Sequence, residues 1–222
     1  MKDKFTKNFC ITGALLVLFF IWTALVSVID CQPIGPNGST VGFATMNRWF
    51  HALTGEHLAL YDFTDFISFI PFVIVAAFGI YGAIQLLQRK SLFKVDSDII
   101  ALGGFYLIVL GCYALFQVLI INYRPILIEG ALEASYPSST TVLATAVFPT
   151  AAMQIRDRFK KGVFSTVLQV LLVFFTVFMV IVRLVSGVHW LSDILGGLLL
   201  SAALVMGYLT TITWLTSKEE NA

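Results

Sequence analysis

The stretch Arg183-Leu-Val-Ser-Gly-Val-His189-Trp-Leu-Ser-Asp193 puts a guanidinium, an imidazole and a carboxylate at the junction of two long apolar runs. His189 and Asp193 are four residues apart, a spacing that stacks two side chains on one face of a helix. A carboxylate bonded to one imidazole nitrogen fixes the tautomer and leaves the other nitrogen basic. That is the arrangement a nucleophilic histidine needs. Ser186-Gly187 interrupts the run just before it, so Arg183 is expected to close the preceding helix and point back at the same place. Guanidinium stays charged and grips phosphate with paired N–H groups. Taken alone, the same spacing also fits a capping histidine with a routine helical partner, so the surrounding elements have to decide.

Of the 222 residues, 58% are hydrophobic and only 12% charged, about half the charge of an ordinary soluble domain. The apolar residues come in runs long enough to span a bilayer, which makes the chain an all-α polytopic membrane protein. Six spans are expected, over about 9–29, 65–87, 99–121, 138–154, 163–185 and 190–215, in a single domain covering 1–222. The first lacks a small-residue cleavage site and is read as an uncleaved helix. Residues 30–64 form a longer polar connection. Within it, 41–61 is expected to make short amphipathic helices at the interface, with His51 and His57 on the surface and away from the site. A net charge of +1 gives no reason to expect a nucleic-acid partner. The three cysteines have neither disulfide nor metal spacing. Cys10 and Cys112 fall in apolar runs and are expected to be buried, and Asp30 argues against lipidation of Cys31.

Six spans place both termini on one side. Eleven of the 14 Lys and Arg residues then share that side, and Arg48, Arg124 and Arg183 lie on the other. The excess of basic residues marks the cytoplasm, so Arg124, Ser138, Arg183, His189 and Asp193 face outward. Ionisable residues at a membrane boundary are costly and mark function.

Three stretches on that face resemble the motifs of the type 2 phosphatidic acid phosphatase family, integral-membrane relatives of the vanadium haloperoxidases. Those motifs are Lys-x6-Arg-Pro, Pro-Ser-Gly-His and Ser-Arg-x5-His-x3-Asp. The chain carries Gln117-x6-Arg124-Pro125, then Pro137-Ser138-Ser139-Thr140, then Val182-Arg183-x5-His189-x3-Asp193. The motif core covers about 117–197, and the six-span layout extends the resemblance to the whole chain. The resemblance implies that His189 attacks phosphorus to form a phosphohistidine and that Asp193 orients it. It implies that Arg124 and Arg183 hold the phosphoryl oxygens, with Ser138, Ser139, Thr140 and Gln117 around them. No metal or other cofactor is implied. Independently, Pro137-Ser138 ahead of the fourth span has the composition of a helix N-terminus suited to an anion.

Two departures bear on the chemistry. Gln117 stands where the family has a charged Lys, and Thr140 where it has the His that protonates the leaving oxygen. Missing general acid catalysis costs ~10²–10⁴-fold. Glu129 and Glu133 lie in the same loop, and both are expected to be solvated rather than surrogate acids. The reading is a lipid phosphate or diphosphate phosphatase of a bacterial plasma membrane, acting at the outer face, with a polyprenyl diphosphate favoured over phosphatidylglycerophosphate or phosphatidate. A non-hydrolytic lipid-phosphate binding or translocating protein and a head-group phosphotransferase are the alternatives.

Overall fold

In a bilayer each backbone N–H and C=O has to be paired within its own segment, so long apolar runs form helices. The computed structural model describes residues 2–159 and 162–219. Among them the chain forms eight α-helices and no strand. These are α1 (Lys2–Val28), α2 (Ala44–Thr54), α3 (Leu58–Ile67), α4 (Phe69–Arg89), α5 (Ser97–Val118), α6 (Ser139–Arg158), α7 (Val163–Val185) and α8 (Leu191–Glu219). Lys160 and Lys161, two of the basic residues behind the expected orientation, lie outside the described residues. Five stretches are long and apolar enough to cross a membrane: Asp3–Val28, Leu58–Arg89, Ser97–Val118, Val163–Val185 and Leu191–Lys218. The architecture is the all-α polytopic membrane fold that the apolar runs imply.

The remaining expected span, α6, differs in character. Its 20 residues reach about 30 Å, a spanning length, but they are less apolar than those of the other five stretches. Twelve of them are buried, and α4, α5, α7 and α8 pack against it. A helix ringed by helices meets little lipid, so its polar side chains are tolerated where they find partners. Thr145 donates to the Ser201 hydroxyl at 2.6 Å, and Gln154 Nε2 donates to the Tyr208 hydroxyl at 2.6 Å. The longest helix pairing is α1 along α8, fastened by Thr12 to Thr210 at 3.1 Å and by Trp22 Nε1 donating to the Ser192 carbonyl at 3.1 Å. Cys10 lies on the exposed face of α1 and Cys112 is half-buried, so the apolar run around Cys10 faces outward and does not bury the thiol as expected.

The connection between the first two spans is more ordered than a polar interfacial loop. Asp30 Oδ2 accepts from the Thr45 N–H at 2.6 Å, which caps the start of α2. Asn47 is fully buried. Its amide donates to the Gly42 carbonyl at 2.8 Å and to Ser192 Oγ at 2.9 Å, and its Oδ1 accepts from the Ser192 N–H at 3.1 Å. α2 is therefore docked on the start of α8 through its polar face, with Trp49 and Leu53 exposed. The end of the stretch expected to form short amphipathic helices, residues 58–61, is the start of α3, which leads through Ser68 into α4. That span begins about seven residues earlier than its hydropathy suggests. The reason is that Asp62 and Asp65 are polar positions of a helix, not of a loop, and Asp65 faces a polar cleft.

His57 is exposed, as expected, and His51 is partly buried; both lie beside the Ser186–Trp190 turn, His57 through its backbone. His51 Nε2 is 3.1 Å from the Gly187 carbonyl, and the His57 N–H donates to the Ser186 carbonyl at 2.9 Å. The approach depends on Gly187. Its φ is +72°, and a Cβ there would overlap the carbonyl of Gly55. Gly187→Ala combines a left-handed backbone with that overlap and is expected to cost about 1–3 kcal/mol. A lowered melting temperature in detergent checks this; an unchanged melt would show that the turn can relax.

Candidate active site

His189 sits in the turn before α8 and Asp193 in its first turn. The four-residue spacing is therefore not a helical stack, and the expected direct pairing of the two side chains is replaced by a relay. Ser135 Oγ lies 2.9 Å from His189 Nδ1 and donates to Asp193 Oδ2 at 2.6 Å. Asp193 Oδ2 also accepts from the Trp190 N–H at 3.1 Å, and Oδ1 accepts from Asn122 Nδ2 at 3.0 Å and Ser192 Oγ at 3.3 Å. A carboxylate in the first turn that reaches back to the entering N–H is half of a capping box and favours the positive end of the helix dipole. Asp193 thus starts α8 and anchors the site with the same two oxygens.

The two arginines converge as expected. Arg183, in the last turn of α7, is 1% exposed. Its Nη1 donates to Thr64 Oγ1 at 3.0 Å, and Nη2 is 3.6 Å from Asp65 Oδ1. Arg124 follows α5 on the loop, with Nε 3.0 Å from Glu133 Oε2. Both guanidiniums lie over the Tyr61 ring, Arg183 at 4.7 Å and Arg124 at 5.7 Å from its centre. A ring face attracts cations, so Tyr61 holds two like charges near one another. The two arginines, Tyr61, Asp65 and Glu133 line a cleft of about 470 Å³ together with Gln117, Ser139 and Thr140. His189 is 3% exposed and is not among the residues lining it.

Seven buried side-chain N and O atoms among the described residues lack a hydrogen-bond partner. Four of them are Arg124 Nε, Arg124 Nη1, Arg183 Nε and His189 Nε2. Arg124 Nε is close to Glu133 but lacks the angle of a hydrogen bond. Buried donors are normally paired, and forked N–H groups left over in this way suit an anion with several oxygens.

The second motif enters at the N-terminus of α6. Ser138 is fully buried, and its Oγ accepts from the Thr141 N–H at 3.4 Å and the Thr141 hydroxyl at 3.0 Å. It caps the helix and does not line the cleft, whereas Ser139 and Thr140 do. The Ser138 N–H donates to the Asp193 carbonyl at 3.0 Å, and Gly196 lets this segment pack closely because it lacks the Cβ that would overlap the Tyr136 ring. Glu133, expected to be solvated, has a side chain that is 41% exposed and lines the cleft against Arg124. Glu129 lies in a neighbouring hollow with Leu127 and Ile128. Ser135, Asn122, Tyr61, Thr64 and Asp65 also belong to the site and were not legible as such. The one available signal was polar residues inside or beside apolar runs.

The family model of the PAP2 superfamily matches residues 71–217, which include all three motifs. The fold is similar to the crystal structure of a transmembrane PAP2-type phosphatidylglycerolphosphate phosphatase from Bacillus subtilis. The TM-score is 0.55 at 19% identity, over 89% of this chain and 93% of that one. The structure of LpxE from Aquifex aeolicus aligns with a TM-score of 0.44 at 18% identity, over 77% of this chain and 96% of that one. No individual characterised protein matches the chain by sequence.

Burial, and then the charges of Arg124 and Arg183, hold the His189 imidazole well below its ordinary value of 6.5, with Ser135 opposing them more weakly. The unfolded chain takes this proton near 6.5 and the folded chain only at lower pH. The contribution to stability is therefore present above about 6.5 and is lost as the pH falls below it. In protein with His51→Gln and His57→Gln, histidine-selective ¹³C NMR is expected to show the remaining imidazole neutral at pH 6.5. A midpoint near 6.5 would contradict the buried, arginine-flanked environment.

Proposed function

The chain belongs to the PAP2 superfamily, and from that premise we propose that it is a membrane phosphatase acting on a lipid phosphate or diphosphate through a phosphohistidine on His189. The observation that carries the reading is a cluster of nitrogens without a hydrogen-bond partner: Arg124 Nη1, Arg183 Nε and the imidazole nitrogen His189 Nε2, buried together beside a polar cleft. The guanidinium groups bind the non-bridging oxygens and stabilise the charge that develops on the phosphoryl group. His189 Nε2 supplies the lone pair that attacks phosphorus. The leaving oxygen departs with the bonding electrons, and water then cleaves the N–P bond. The cleft is formed by α3, α4, α5, the loop after α5, the start of α6 and the end of α7, which suits a substrate whose apolar tail stays between helices while its head group meets the arginines.

The missing acid favours one substrate class. A monoester expels an alkoxide, which needs a proton. A diphosphate attacked at its terminal phosphorus expels a phosphate monoester whose second pKa is about 6, and this leaves as an anion near neutral pH. With Thr140 at the acid's position, a polyprenyl diphosphate is the best fit. The site lies at the end of the bundle where α7 ends and α8 begins. Arg89, Arg158 and Lys218 end the helices at the opposite end. With both termini in the cytoplasm, as the basic residues favour, the site faces outward from a bacterial plasma membrane.

Phosphate release from matched mono- and diphosphates of one prenyl chain tests the reaction. The wild type is expected to have the higher kcat/KM on the diphosphate, and Thr140→His to raise the monoester rate more. His189→Ala is expected to abolish both turnover and an acid-labile phosphoenzyme. Turnover that survives His189→Ala sinks the phosphohistidine, and phosphate binding without turnover in the wild type would favour a non-hydrolytic carrier. Orientation has its own test. Cys31 is exposed on the loop at the same end as the site, so an impermeant thiol reagent is expected to label it on intact cells, with Cys31→Ser as the control. Labelling only after lysis would reverse the orientation.

A further inference from the structure

We propose that Ser135 is a positioning residue that fixes the tautomer of His189 and transmits the charge of Asp193 to it. The proposal rests on the reading of His189 as the nucleophile. Ser135 stands outside all three motifs, and its role follows from counting protons. Four donors converge on the two oxygens of Asp193: Ser135 Oγ, Asn122 Nδ2, Ser192 Oγ and the Trp190 N–H. An ionised carboxylate is an acceptor only, and the Asn122 amide on Oδ1 and the Trp190 N–H on Oδ2, which can only donate, favour that form. The single hydroxyl hydrogen of Ser135 is therefore committed to Asp193 Oδ2 at 2.6 Å. The hydroxyl then turns its lone pair to His189 Nδ1 at 2.9 Å, so Nδ1 has to carry the ring proton. In the neutral imidazole the other nitrogen has none. Nε2, buried and without a partner, is thereby the nitrogen with the free lone pair.

The hydroxyl is held in place by backbone. The Ser135 N–H donates to the Asn122 carbonyl at 2.9 Å, and Tyr123 pairs with Ala134 in an isolated bridge. The same Asn122 donates through its side chain to Asp193. Ser135, His189 and Asp193 are 2%, 3% and 0% exposed, so water has little access to replace the hydroxyl. During attack the Nε2–P bond forms as the P–O bond to the leaving group breaks, and the ring becomes positively charged with its Nδ1 proton in place. That charge is balanced by the carboxylate through one intervening hydroxyl, and no proton needs to leave Ser135. When water later attacks phosphorus, the electron pair of the N–P bond returns to Nε2.

The test compares Ser135→Ala and Ser135→Thr with the wild type in detergent. Ser135→Ala is expected to lower kcat and the rate of phosphoenzyme formation about 10–100-fold, by analogy with the partners that orient a metal-bound imidazole, with KM little changed. Ser135→Thr, which keeps the hydroxyl, is expected to recover most of that loss. A Ser135→Ala variant with wild-type kcat overturns the proposal, as does a folded Ser135→Thr variant as slow as Ser135→Ala. Histidine ¹⁵N NMR gives a readout independent of turnover. The wild type is expected to hold the Nδ1–H tautomer at His189 and Ser135→Ala to lose that preference, whereas an Nε2–H tautomer in the wild type refutes the relay. If His189→Ala stays active, the nucleophile reading fails while the NMR result still decides the role of Ser135.

Discussion

A carboxylate taken out of water costs several kilocalories per mole unless donors surround it, and Asp193 is fully buried. Its environment therefore has to be built by the rest of the chain. The donors come from the loop after α5, the loop before α6, the turn before α8 and α8 itself. Removing any of these segments leaves a charge that the interior cannot solvate. α2 joins the same network through Asn47, whose side chain holds Ser192 from both its N–H and its hydroxyl. The need to satisfy one carboxylate thus draws together elements up to 71 residues apart in sequence, and the Asn47–Ser192 contact extends the network to α2.

The arginine side of the site solves the opposite problem. Arg124 and Arg183 are buried like charges that would repel each other if nothing lay between them. Tyr61 presents its ring face to both, while Glu133 and Asp65 each approach one guanidinium. These acids balance the arginines without using all of their N–H groups. Charge is compensated while several hydrogen-bonding positions stay open, the combination that suits a polyanionic head group.

The bundle makes both halves rigid. α6, shielded by four helices, delivers Ser139 and Thr140 to the cleft on a helix that has little lipid to face. Gly187 and Gly196 permit the close approaches that bring the turn with His189 and the start of α6 against their neighbours. A site resting on helix ends in this way can hold its groups with less dependence on long flexible loops.

The sequence by itself determined the membrane class, the run of helices, the junction at Arg183–Asp193 and the family motifs. These are properties of local composition and order: in lipid an apolar run long enough to span forms a helix, and the motif residues are read one position at a time. α6 and the start of α3 were the limits of that logic, because helices that face other helices or a polar cleft carry polar residues that imitate a connection. Tertiary structure decided how the motif residues are wired. His189 and Asp193 appear paired by spacing, yet Ser135 from another segment stands between them. Ser138 reads as a phosphate ligand and is a helix cap, while the meeting of the exposed Glu133 carboxylate with Arg124 is invisible in the order of residues. A hydroxyl or a carboxylate has several possible partners, and only the meeting of distant segments in space selects among them.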